Sequence, residues 1–240
     1  MRRPLLLEKA QQLDRYLKTL SPVQLAKVMS LSPALAEKTH ALIAAWTAEP
    51  ERQSLAIDSF LGDIYSGLRA NDLPPDDRDY AGRVLFILSG LYGIIRPYDG
   101  ICPYRLEMGY KLPAPAFANL YEYWGDSIAS CLPTQGPIIN LAALEYAQTV
   151  IRYVDIARVM APKFLTVSPK TGQPAFVVVH AKIARGAFAR WLITRRTQDV
   201  SDLTQFDGLG YRYDKALSTP DSPTFVCETF GGKGLSIRLQ

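Results

Sequence analysis

The strongest constraint on the fold is a change in the spacing of apolar residues along the chain. Through the first third they recur every three or four positions, as Leu6, Leu7, Ala10, Leu13, Leu17 and Leu20, then Leu35, Ala36, Leu42, Ile43 and Trp46 with Thr39 on the same side. That spacing lays a stripe along one face of a helix. Ser21-Pro22 and Ser32-Pro33 supply start signals, because serine caps free N–H groups and proline fits the first helical turn. The second helix is predicted over 23–29, and the third ends by Pro50. Residues 56–68 are apolar but broken by Gly62 and Gly67, which leaves a strand, a loop or an interrupted helix. Pro74-Pro75-Asp76-Asp77 then opens a helix expected to reach about Leu88, where Ser89-Gly90 stops it.

After Pro137 the pattern shortens to strand-like runs at 137–141, 163–167 and 175–180, the last richest in β-branched residues. Ser168-Pro169-Lys170-Thr171-Gly172 is turn chemistry, so the last two read as a hairpin. A helix is expected over 182–196, with strands at 210–213 and 224–229. Helices first and a central mixed sheet with a hairpin later make a mixed α/β fold. With no linker, repeat or low-complexity stretch in its 240 residues, the chain reads as one compact domain.

Several functions are excluded or disfavoured by the sequence. No apolar run exceeds six residues, against roughly 20 for a bilayer span. The opening Met1-Arg2-Arg3-Pro4-Leu5-Leu6-Leu7 meets Glu8 and Lys9 before a signal-peptide core forms, so a cytoplasmic protein is expected. Three separate cysteines without a Cys-x-x-Cys pair and two distant histidines, His40 and His180, predict neither metal nor cofactor. A net charge of +4 is only mildly basic, so the placement of charge matters more than its sum.

Two constellations carry chemistry. In the first, glycines at Gly90 and Gly93 around Tyr92 would let backbone amides approach a phosphate in a helix-hairpin-helix layout, degenerate because Pro97 follows. Arg96, Arg105, Lys182, Arg185 and Arg190 would supply cations, with Lys182, Arg185, Arg190 and Arg196 drawn as one face of a helix. The alternatives are a tight structural turn, a solvated helix face and buried aromatic rings. In the second, Asp63, Arg105, Glu107 and Asp126 sit among apolar residues. They form either loop-holding ion pairs or a pocket in which Arg105 clamps an anionic small molecule and Glu107 works as acid or base.

The segments 88–99 and 103–109, with Phe60-Leu61-Gly62-Asp63-Ile64-Tyr65-Ser66-Gly67-Leu68, Leu120-Tyr121-Glu122-Tyr123-Trp124-Gly125-Asp126 and Ala181-Lys182-Ile183-Ala184-Arg185-Gly186 followed by Arg190, resemble the YaaA family of peroxide-stress proteins. Asn140-Leu141-Ala142 and Glu145-Tyr146 extend the resemblance over about residues 6–213. It implies a single-domain mixed α/β fold particular to that family and DNA binding through a positively charged cleft with a helix-hairpin-helix-like element. It also implies protection against hydrogen peroxide by keeping free iron low. The chain departs from the family pattern in four places, one being Gln148 or Thr149 where a basic residue is expected after the Asn-Leu-Ala and Glu-Tyr block. It starts at the first helix without the usual strand and Ser-Pro-Ala-Lys-Thr loop, Ile183 replaces a usual lysine, and Val226-Cys227-Glu228 ends the last strand without a basic residue. The expectations are therefore a monomeric protein binding double-stranded or branched DNA, or an enzyme on the same scaffold acting on a small anion. A scaffold protein with no ligand is the third.

Overall fold

The structure, a computed structural model, describes residues 1–112 and 117–235. In chain order its elements are α1 (Leu7–Leu17), α2 (Pro22–Met29), α3 (Pro33–Ala45), β1 (Ser54–Leu55), α4 (Ala56–Ser59), α5 (Asp63–Leu68) and α6 (Pro75–Val84). Next come β2 (Ile87–Ser89), β3 (Gly93–Ile95), β4 (Gly100–Ile101), α7 (Leu120–Trp124), β5 (Ile138–Ile139) and α8 (Leu144–Ile151). The last are β6 (Val159–Met160), β7 (Lys163–Val167), β8 (Pro174–Ala175), α9 (Val178–Arg195), β9 (Arg212–Tyr213) and β10 (Thr224–Cys227). The mixed α/β class stands. The chain gathers into two compact units, each drawn from separate stretches: Met1–Ser59, Leu85–Thr134 and Ala142–Val154 in one, Phe60–Val84, Gln135–Leu141 and Asp155–Gln240 in the other.

In the first unit the serine signals act as predicted. Ser21 accepts from the Gln24 N–H while the Gln24 side chain accepts from the Ser21 N–H, a reciprocal box that fixes the start of α2. Ser32 accepts from the Leu35 N–H at the start of α3. The apolar stripe of α1 buries Ala10, Leu13 and Leu17, and α3 ends at buried Trp46. The antiparallel hairpin β2–β3 places Ile94 and Ile95 in the same core.

The second unit is organised by a four-stranded sheet in the order β8-β7-β10-β9, with β7 and β10 parallel and the outer pairings antiparallel. The β7–β8 hairpin expected from the sequence is present. Against the sheet lies a core of rings: Phe164 stacks on Phe225 and meets Phe188, Phe206 and Tyr211 edge-on. Helices α5 and α9 cross backbone to backbone. A Cβ at Gly67 would strike the Ile183 carbonyl, and one at Gly186 the Ile64 carbonyl, so only glycine fits either position.

Two local expectations are corrected, and a third, left open in the sequence, is settled. The helix from Pro75 ends at Val84 rather than near Leu88, and residues 87–89 are the strand β2. A five-residue apolar run satisfies either period, and here pairing with β3 settles it. The strongest strand candidate, 175–180, overlaps β8 only at Ala175, and α9 begins at Val178. Packing of α9 outweighs the β propensity of the valines, and Phe176 and Val178 stay 58% and 53% exposed. Residues 56–68 resolve into the interrupted helix α4–α5, broken at Gly62 with φ +122°. Among the described residues no helix is long and apolar enough to cross a membrane.

Candidate functional site

The fold uses the predicted phosphate loop as core. Gly90 to Gly93 turn the β2–β3 hairpin, so strands flank them and no helix-hairpin-helix forms. A Cβ on Gly90 would meet the Leu106 carbonyl, and the Gly90 carbonyl accepts from Trp124 Nε1 at 3.1 Å. Gly93, at φ +71°, has the Trp124 ring where a side chain would stand. Tyr92 is fully buried, and its hydroxyl accepts from Trp46 Nε1 at 2.7 Å and the Cys102 N–H at 2.9 Å. Burial pushes its phenol well above the ordinary tyrosine range.

Two of the expected cations lie nearby, and one of them, Arg96, is consumed. Arg96 Nη2 donates to Asp99 Oδ1 at 2.9 Å and to the Arg3 carbonyl at 2.9 Å, and its Nε donates to the same carboxylate. Asp99 is fully buried, so this pair locks the β3–β4 connection. Arg105 approaches Glu107 at 3.7 Å, with both side chains about half exposed, which makes a weak pair.

Around that pair the first unit assembles a cluster the sequence leaves scattered. Tyr110 stands beside Arg105 and Glu107, and burial with the Glu107 charge raises its phenol. Gly109 faces Glu145, whose Oε2 would lie 3.2 Å from any Cβ there. Tyr146 bonds to the Met108 backbone, and burial with Glu145 and Glu107 nearby raises it strongly. Arg105 Nε is buried without a hydrogen-bond partner. Tyr110, Glu145 and Tyr146 are not among the sequence candidates. Glu145-Tyr146 stands out in the sequence as a block, but only α8 brings it to the 105–110 loop.

The other two carboxylates are not part of this cluster. Asp126 is exposed, and its charge acts on Lys9, whose ammonium donates to Ser127 Oγ at 2.8 Å and lies over the Tyr123 and Trp124 rings. Asp63 is buried at the first position of α5 and belongs to the second unit.

On α9 the cations divide. Arg190 donates to the carbonyls of Leu68, Arg69 and Asp72 at 3.2, 2.7 and 3.1 Å, closing the C-terminal end of α5. Arg196 lies 3.5 Å from Asp77 and over the Tyr80 ring. The single basic face drawn from the sequence is therefore split, because Arg190 is turned toward α5. Lys182 and Arg185, one turn apart, are half-buried and make no hydrogen bond or ion pair with any described residue. Burial lowers Arg185 from its ordinary value, and no carboxylate offsets it. Of two surface depressions in this unit, of about 360 and 690 Å³, the first is lined by Arg196, and neither includes Lys182, Arg185 or Arg190.

The geometry defines a mixed α/β protein with unpaired cations on one long helix and an arginine–carboxylate–tyrosine cluster on a loop. Comparison with known proteins gives this arrangement a family. A sequence profile described as "Peroxide stress protein YaaA" matches residues 2–217. A UPF0246 protein of Salinispora tropica is 62% identical over 235 residues, covering 98% of this chain and 89% of its own length. UPF0246 proteins of Bordetella petrii and a Marinomonas species are 42% and 38% identical, covering 92% and 93% of this chain and 89% and 87% of theirs. The chain belongs to the YaaA family of peroxide stress proteins.

Proposed function

We propose that this chain binds nucleic-acid phosphates through α9, with Lys182 and Arg185 as the principal cations. One observation carries the reading: these two are the sequence-predicted cations of α9 that the fold leaves without a partner. A half-buried guanidinium with no acceptor is costly in the free protein, and a phosphate oxygen satisfies it. The Gly90–Gly93 amides take no part in this reading, nor do Arg96 and Arg190, whose donors are spent inside the protein. The test is a fluorescence-anisotropy titration with labelled duplex and branched DNA at about 50 and 200 mM salt. Binding should weaken with salt, and Lys182→Ala/Arg185→Ala should reduce the salt slope by about 2. Absence of binding at the lower salt, or an unchanged slope in the double variant, refutes the reading.

The buried, unpartnered Nε of Arg105 favours a second reading, an anionic small molecule held by Arg105 beside Glu107 and Tyr110. Glu107 would then be the proton acceptor or donor. Screening small carboxylates and phosphates for stabilisation lost in Arg105→Gln tests it, and a Tm that no ligand raises rules it out.

A further inference from the structure

Packing leaves the apolar run at the entry to α9 in solvent. Residues 171–178 are all exposed, and among them Phe176, Val177 and Val178 are 58%, 37% and 53% exposed. The Phe176 ring makes no ring contact, ion pair or hydrogen bond with a described residue. The phenylalanines of the sheet core, Phe164, Phe188, Phe206 and Phe225, are by contrast locked in ring pairs. One exposed apolar side chain is ordinary on a protein surface, whereas three in a row mark a surface that something else covers.

The run is continuous with the open cations of α9. Val177 is extended, at φ −111° and ψ 112°, so Phe176 and Val178 point to the same side of the chain, and they are the more exposed of the three. Val178 opens α9, and Lys182 and Arg185 follow it by four and seven positions, which puts all three on one helix face. Phe176, Val178, Lys182 and Arg185 therefore form a single track, whose helical part is about 10 Å long.

Charge around this track has one sign. Between Asp155 and Asp199 the chain has eight lysines and arginines and no Asp or Glu. Arg190 and Arg196 are engaged by α5 carbonyls and by Asp77, and Lys182 and Arg185 stay open. Such a field attracts a polyanion, and the ring decides which one. A bilayer takes up an apolar loop tip, but the tip of the β7–β8 hairpin, 168–173, is Ser-Pro-Lys-Thr-Gly-Gln, and the apolar run lies on the arm behind it. A flat ring beside two cations suits a nucleic-acid strand whose bases are free, because an aromatic side chain stacks on any base while the cations follow the phosphates. In a duplex the base faces are covered by their neighbours.

We propose that Phe176 is a stacking platform for an unpaired nucleobase, so that the entry to α9 takes single-stranded nucleic acid in preference to duplex. The inference rests on the α9 reading above and adds what phosphate contacts cannot supply, a choice between strand forms.

The test uses a labelled oligonucleotide of about 15 nucleotides, single-stranded or annealed to its complement, followed by fluorescence anisotropy at about 50 and 200 mM salt. A 2-aminopurine in the strand reports stacking. The single strand should bind more tightly than the duplex, and 2-aminopurine fluorescence should change on binding. Phe176→Ala, at an exposed position, should weaken the single strand about tenfold while leaving the duplex and the salt slope as in the parent, and Phe176→Tyr should keep the parent affinity. Lys182→Ala/Arg185→Ala lowers the slope for both forms, which separates the cations from the ring. If that double variant lowers the slope but Phe176→Ala binds the single strand as the parent does, stacking is refuted and the α9 reading stands. Equal binding of the two forms, or an equal loss for both in Phe176→Ala, also overturns the proposal. Absence of binding to either form at the lower salt overturns both readings. Flotation with phosphatidylglycerol vesicles that Phe176→Ala abolishes, without binding to either oligonucleotide, gives the run to a bilayer instead.

Discussion

Arg96 and Arg185 both lie in blocks where charge is set among apolar residues, yet the fold treats them differently. Arg96 has a carboxylate three residues ahead, and the turn between them brings the two together with the Arg3 carbonyl as a third point. Arg185 has no carboxylate within reach on α9, and packing in the second unit leaves it half-buried and unpaired. A charge whose complement is local is building material; one whose complement is missing is available to a ligand. Removing the first should damage folding. Arg96→Ala strands the buried Asp99 charge and is expected to cost about 3–5 kcal/mol, read as a fall in the urea midpoint. Arg185→Met removes a dehydrated charge and keeps most of the apolar stem, so stability should stay within about 1 kcal/mol of the parent or rise. Equal losses in the two variants would erase the distinction.

The same contrast holds along α9 itself, between the face fixed by backbone contact and the face carrying spare cations. Gly186→Ala forces a Cβ into the Ile64 carbonyl, where neither backbone yields cheaply, and should cost about 3 kcal/mol. In the hairpin, Tyr92→Phe leaves the Trp46 indole N–H and the Cys102 amide without their acceptor, at a cost of about 2 kcal/mol. Equilibrium denaturation ranks these below Arg96→Ala. If Tyr92→Phe is neutral, the hydroxyl is not the keystone of the hairpin core, and the contrast between spent and spare polar groups weakens there.

How much is legible in advance depends on the range of the interaction. Ser21 and Ser32 announce α2 and α3 because a cap is settled within four residues. The β7–β8 hairpin is legible from its five-residue turn. The boundary at Val84 and the start of α9 are not, since Phe86, Ile87, Val177 and Val178 suit helix or strand until partners choose. The candidate sites divide the same way. Arg105 and Glu107 are two apart in sequence, so their pairing is visible at once. Glu145 and Tyr146 reach them only through the packing of α8. A spare cation is harder still to read, because Lys182, Arg185 and Arg190 look alike until α5 claims the last.

The smallest effect falls on His180, and it is a dependence on pH. Burial and the Lys233 charge hold its imidazole below the ordinary histidine value of 6.5. The unfolded chain therefore takes up the proton first as pH falls, so the unfolded state binds more protons in that window and stability rises with pH through it. The contribution is complete above about pH 6.5 and is lost as pH drops through the lower folded value. Other groups titrate in the same range, so the informative quantity is the difference between the parent and His180→Gln in urea midpoint from about pH 5 to 7.5. That difference should narrow toward low pH, and in a Lys233→Ala background it should narrow less, because the imidazolium is relieved and the folded value moves back toward the unfolded one. A difference independent of pH would mean His180 keeps its ordinary value and that Lys233 does not reach it, which removes the positive local field that sets the start of α9 apart from the paired charges of the hairpin.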